Sequence, residues 1–161
     1  GVPKVSFTLL TPTTSDAQRL ALVIQAMTRD AGFDVKIQAA EFATSINMAD
    51  KGDFEAYVLA WSGRPDPRGN THQFFKATPG PSFNWSGLLN ERVDTLLDRT
   101  REVASQAERK KLYGELTRLL QDELPMIFIV HPIEPKAFSP RVVGYDPIPD
   151  GMMRFTDVWL K

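Results

Sequence analysis

A chain of 161 residues, 42% of them hydrophobic, can bury one core of moderate size, so a single domain is the first expectation. The formal net charge of −1 supplies no basic field for nucleic acid and no polybasic stretch for an anionic membrane. No apolar run approaches the ~20 residues needed to span a bilayer, and the chain has no cysteine, which suits an oxidising compartment as well as the cytosol.

The opening Gly1-Val2-Pro3-Lys4-Val5 has neither a charged n-region nor an apolar h-region, so the expectation is a removed targeting segment or a start inside a longer protein. Residues 5–10 set Val5, Phe7 and Leu9 against Ser6 and Thr8, which predicts a strand. Ser15-Asp16-Ala17-Gln18 has capping-box spacing and opens a helix striped by Ala17, Leu20, Ile24, Met27 and Ala31, with Gly32 as its stop. A second strand is expected over 33–38. A short helix over 42–51 follows, showing Phe42, Ile46 and Ala49 and ending at Gly52. Residues 54–61 read as an apolar strand buried on both sides. Strand, helix, strand, helix, strand at this spacing predicts an α/β fold with a mainly parallel sheet flanked by helices.

Residues 62–90 are rich in Gly, Pro, Asn and Ser and read as loop, with one helical turn at 71–75. Two helices are predicted next. The first carries Val93, Leu96, Leu97 and Thr100. The second opens at a capping box, Ser105-Gln106-Ala107-Glu108, and is striped by Leu112, Leu116, Leu119 and Leu120. Leu124-Pro125 stops it, and the apolar run 126–130 is expected to be a fully buried strand. Beyond His131-Pro132 the chain is proline-rich and irregular, with a turn at Pro149-Asp150-Gly151.

The candidate site lies where the strand over 54–61 meets the polar loop Ser62-Gly63-Arg64-Pro65-Asp66-Pro67, because α/β proteins bind ligands beyond the carboxyl ends of their strands. Trp61 reads as a core or hinge ring, or as a surface on which a ligand stacks. Ser62 adds a hydroxyl. Arg64 reads first as a brace paired with Asp66, with ligand contact as the competing role; Asp66 reads first as a turn former. Asn84 and Trp85 either pack over the long loop or form a second wall of a cleft, and Asn70 reads as a helix cap. No catalytic residue is assigned. His72 and His131 lack metal-ligand spacing, no serine sits in a nucleophile elbow, and no glycine-rich loop precedes a helix. No metal or other cofactor is expected.

Four segments in order carry a resemblance. They are Leu59-Ala60-Trp61-Ser62-Gly63-Arg64-Pro65-Asp66-Pro67, then Phe83-Asn84-Trp85-Ser86-Gly87, then Val93-Asp94-Thr95-Leu96-Leu97. The fourth runs from Glu108-Arg109 through Leu112-Tyr113 to Leu124-Pro125-Met126-Ile127. Over nearly its whole length the chain is similar to the C-terminal part of the family 5, dipeptide- and oligopeptide-type solute-binding proteins of bacterial ABC importers. The resemblance implies one lobe of a periplasmic-binding-protein-like two-lobe fold. In it, residues 1–130 form the α/β lobe and 131–161 an irregular return segment that packs on an N-terminal lobe. It further implies a non-enzymatic, periplasmic or extracellular substrate-binding component, associated with the membrane through its transporter. Such a component contributes one wall of a cleft for a peptide or similar small solute, with Trp61, Ser62, Arg64, Asp66, Asn84 and Trp85 as contacts and permease subunits as partners. The chain departs from the family's peptide receptors in one respect. They commonly place an acid just after the Trp, where it meets the peptide's ammonium group, and here Gly63-Arg64 stands there, which favours a carboxylate or another bidentate acceptor. Two other classes stay open at this level: a small hydrolase or transferase domain using Asp66 or His72, and an interaction module docking through its proline-rich tail.

Overall fold

The computed structural model describes residues 5–77, 83–148 and 150–161. Two compact units divide at Trp61 and Ser62.

The first unit contains β1 (Val5–Pro12), α1 (Ser15–Asp30), β2 (Phe33–Ala40), α2 (Phe42–Asp50) and β3 (Ala56–Tyr57). All three strands are parallel and share one sheet in the order β2-β1-β3, so the predicted α/β class holds. Leu9, Ala21, Val35 and Val58 form the core, with Leu20, Ile24 and Ile37 packed around them. The Gln25 side chain ties α1 to β2 by donating to the Val35 carbonyl at 2.8 Å. Gly32, at φ 92°, and Gly52, at φ 71°, follow the two helices in the left-handed region that ends them.

Three expectations need correction here. The strand over 54–61 is not buried on both sides: its ladder covers Ala56 and Tyr57 alone, at the sheet edge. The N–H groups of β1 that face this edge come from alternate residues, Thr8, Leu10 and Pro12. The Thr8 N–H is taken by the Glu55 carboxylate at 2.7 Å, and Pro12 has no N–H to give. The ladder is thus closed at both ends, with Val58 N–H to Leu10 O at 3.0 Å as its last bond. The first capping box also fails. Gln18 N–H already bonds Thr14 O at 3.0 Å, so the helix begins one residue early, Ser15 lies inside it, and the Gln18 amide turns to Thr13 O. Met27 and Phe42, expected on buried faces, are exposed, and the buried positions are Ala21 in α1 and Ser45 and Ala49 in α2.

The second unit contains α3 (Arg68–Phe75), α4 (Glu91–Glu102), α5 (Gln106–Glu123), β4 (Val142–Val143) and β5 (Trp159–Leu160). Both predicted stripes face the core, with Leu119 only partly buried. Val93, Leu96 and Leu97 of α4 meet Leu112, Leu116 and Leu120 of α5, with Phe74 and Phe75 of α3 closing the cluster. Asn90 caps α4 by accepting from the N–H groups of Arg92 and Val93, and Ser105 caps α5 by accepting from Glu108 N–H. Leu124, in the left-handed region at φ 47°, and the following Pro125 end α5. The turn expected near 149–151 shows Gly151 at φ 76° bonded to Ile148 O; Pro149 lies outside the described residues.

The apolar run 126–130 is not a buried strand. No strand lies beside it among the described residues, and Ile127, Phe128, Ile129 and Val130 are all at least half exposed; only Met126 packs on the helical cluster. Hydrophobicity identified the segment, but a strand also needs a neighbour for its backbone groups. After it, β4 and β5 pair antiparallel near the end of the chain.

Candidate functional site

The loop that begins the second unit is held by its own side chains. Ser62 accepts twice from Arg64 Nη1, through its carbonyl at 3.0 Å and its hydroxyl at 3.4 Å. Arg64 N–H donates to Asn70 Oδ1 at 2.7 Å, and Asn70 Nδ2 donates back to the Arg64 carbonyl at 2.7 Å. Asn70 is therefore not the cap of α3. Pro67 holds that place, and just before it the Asp66 Oδ1 accepts the Arg68 N–H at 2.8 Å. The helix begins at Arg68, so α3 starts earlier and runs longer than the single turn expected at 71–75.

The expected Arg64–Asp66 brace is replaced by a longer-range one. The guanidinium that pairs with Asp66 is that of Arg109 on α5, whose Nη2 reaches both carboxylate oxygens, at 3.1 and 3.2 Å. The Arg68 N–H, and then Arg109, hold the Asp66 carboxyl below its usual range. Arg64 instead adds its positive field to Asp150. That carboxylate is 4% exposed and grips Arg154 bidentately, at 2.9 and 2.6 Å. The Arg154 bond, followed by the Met152 N–H and then the neighbouring guanidinium charges, lowers its pKa to about 2.

Asn84 and Trp85 lie in a second segment of this unit. Asn84 closes a turn on Leu88: Oδ1 accepts the Leu88 N–H at 3.1 Å and Nδ2 donates to the Leu88 carbonyl at 2.9 Å. The Trp85 ring meets Phe83 edge-on at 5.2 Å, and Phe83 stacks on Phe74 at 5.7 Å, so the segment is anchored to the helical core. Trp61, the last residue of the first unit, leaves 40% of its surface exposed.

His72, an alternative candidate for proton transfer, stands 3.7 Å from Asp98, whose other oxygen accepts from Lys76 at 2.6 Å. Burial, and then the charges of Arg101 and Lys76, push the His72 pKa down. Near neutral pH the imidazole is uncharged and Asp66 fully ionised. A groove of about 720 Å³ opens beside Asp66, lined by Arg68, Asp98, Arg101, Glu102 and Arg109, and its charged walls are unlike the apolar lining of most small-molecule pockets. No group of acids and histidines suited to a metal ion occurs among the described residues. Sequence reasoning missed Arg109 and Asp150, which lie far along the chain from the loop they charge. It saw Asn70 but gave it the wrong partner.

The family model described as bacterial extracellular solute-binding proteins, family 5 Middle, matches residues 2–82. Over 143 residues the chain is 26% identical to the probable di/tripeptide-binding protein 5 of Pseudomonas aeruginosa (strain UCBPP-PA14), a match covering 88% of this chain and 27% of that protein. Over 145 residues it is 28% identical to heme-binding protein A of Haemophilus influenzae, covering 88% of this chain and 26% of that one. The dipeptide binding protein of Pseudoalteromonas sp. SM9913, solved in complex with Met-Leu, superposes with a TM-score of 0.80 at 22% identity, over 100% of this chain and 33% of that chain. That likeness shows the fold, the α/β architecture of periplasmic binding proteins. The chain spans about a quarter of the length of the curated relatives it matches. With the family model covering half of its residues, the chain belongs to the bacterial extracellular solute-binding proteins of family 5.

Proposed function

We propose that this chain is the solute-binding part of a receptor for an ABC importer, working outside the cytoplasm, with the loop after Trp61 as one wall of the solute cleft. The solute is a peptide or a similar small molecule that presents a carboxylate to Arg64. Trp61 supplies an apolar face, Ser62 and Asp66 shape the loop, and Asn84 and Trp85 contribute a second wall. Solute captured between lobes stabilises the closed receptor, which docks on permease subunits in the membrane. Chemistry on the solute has no part in this cycle. An ionised Asp66 committed to Arg109 and Arg68, and a neutral His72 beside Asp98, are poorly placed as an acid–base pair.

The observation that carries this reading is the loop itself. An exposed Arg64, on a backbone fixed by neighbouring side chains, is a preformed cationic anchor at the position where peptide receptors of the family commonly carry an acid. Calorimetric titration of the full-length protein with Ala-Ala, N-acetyl-Ala-Ala, Ala-Ala amide and glutarate tests it. Saturable binding is expected from the carboxylate-bearing members. Arg64→Ala should weaken it by ~1–3 kcal/mol, the cost of a lost charge-assisted hydrogen bond, with little change in melting temperature. Absence of binding across the panel, or unchanged affinity in Arg64→Ala, would overturn it.

A further inference from the structure

Arg64 is held at three levels. At the backbone, the Asn70 amide bonds both polar groups of Arg64, each at 2.7 Å. A neighbouring strand would offer an extended residue the same donor and acceptor; here one side chain supplies both. At the stem, Gly69 lets Arg64 lie against the start of α3. A Cβ on Gly69 would sit 2.9 Å from both Cβ and Cγ of Arg64, closer than side chains approach. At the head, Nη1 is tethered to Ser62. The clamp stands on a firm base, since Gly69 N–H bonds Asp66 O at 3.1 Å and Asn70 N–H bonds Pro67 O at 3.0 Å.

Such a clamp on an exposed arginine adds nothing to either apolar core. It removes rotational freedom from a long, rotamer-rich side chain before a ligand arrives, and that freedom would otherwise be lost on binding. We propose that Asn70 and Gly69 are positioning residues, which hold Arg64 so that its guanidinium receives the carboxylate of the solute; this rests on the reading of the loop as solute-binding. The pair would set the preference for acids over their neutral analogues, while general affinity comes from other contacts.

The test uses the full-length protein and two probes, N-acetyl-Ala-Ala and its C-terminal amide, whose affinity ratio measures the carboxylate preference. The wild type is expected to prefer the acid by about tenfold or more, and Arg64→Ala to abolish the preference. Asn70→Ala should cut it about three- to tenfold, the acid losing more affinity than the amide, whereas a merely structural loss would weaken both alike. Asn70→Asp keeps the acceptor for Arg64 N–H but sets a carboxylate oxygen against its carbonyl, and should cut the preference at least as far as Asn70→Ala. If Arg64→Ala loses the preference and Asn70→Ala keeps it, the clamp is local structure only and the inference fails while the solute-binding reading stands. If the wild type shows no preference, binds neither probe, or keeps its preference in Arg64→Ala, both fall. Should Asn70→Ala fail to fold, Asn70→Asp carries the comparison, and a wild-type preference there counts against the proposal.

Discussion

Asp150 is buried beside two guanidinium charges, and its carboxyl keeps its proton off until about pH 2, against 3.8 for an ordinary aspartate. The sign of the consequence follows from linkage. Above about pH 5 both folded and unfolded chains hold the carboxylate ionised, and the ion pair with Arg154 contributes in full. As pH falls from there towards 2, the unfolded chain takes up the proton first, so stability drains over that window. Asp66 and Asp98 are depressed in the same direction, which makes the variant, rather than a flat line, the proper reference. Asp150→Asn should lower the melting temperature near neutral pH and show a shallower decline between about pH 5 and 2 than the parent. Parallel declines would mean that the pair titrates outside the cooperative unit.

At the scale of elements, two glycines test how far local geometry governs. Gly144 follows β4 at φ 83°, and a Cβ there would lie 2.1 Å from the carbonyl oxygen of Asp157, the residue before the approach to β5. Gly144→Ala should therefore destabilise by about 1–3 kcal/mol and expose the Lys161 N–H, which bonds Arg141 O, to faster exchange. Gly114 sits within α5 with open space around it, so Gly114→Ala should stabilise by about 0.5–1 kcal/mol. Thermal melts of the two variants should move in opposite directions; movement together would refute the geometric argument. The same contrast explains what was legible in the sequence. The faces of α4 and α5, the cap at Ser105, and the parallel strands β1 and β2 follow from periodicity and capping chemistry, which are local. The length of β3 depended on Glu55 reaching Thr8 across 47 residues, and the partner of Asp66 lay 43 residues away on α5. Side-chain pattern reports what a segment would bury; it is silent on which backbone or charge will meet it. The loop of Ser62, Arg64 and Asp66 was readable as polar and rigid, but the agents of its rigidity were not.

At the scale of the molecule, the run after Pro125 is the feature that the two local cores leave unaccounted for. Ile127 is 85% exposed and Ile133 93%, with Phe128, Ile129 and Val130 between them also open. Burying one such side chain contributes about 1.5–3 kcal/mol, and monomeric proteins seldom leave a contiguous apolar patch of this kind in water. The run belongs to no helix or strand and has no strand beside it among the described residues, so its backbone groups can template pairing with another chain. The 161-residue chain, produced alone, should therefore bind a hydrophobic dye such as anilinonaphthalene sulfonate and grow in apparent mass with concentration. Ile127 and Ile129 are both exposed members of the run, so the double variant Ile127→Lys, Ile129→Lys should suppress both effects together. Its melting temperature should stay close to the parent's, because neither side chain belongs to the cluster of Leu97 and Leu116. Light scattering alongside dye titration separates the outcomes. A chain that remains monomeric and dark to the dye at high concentration would show that this segment is covered by the chain's own residues in solution.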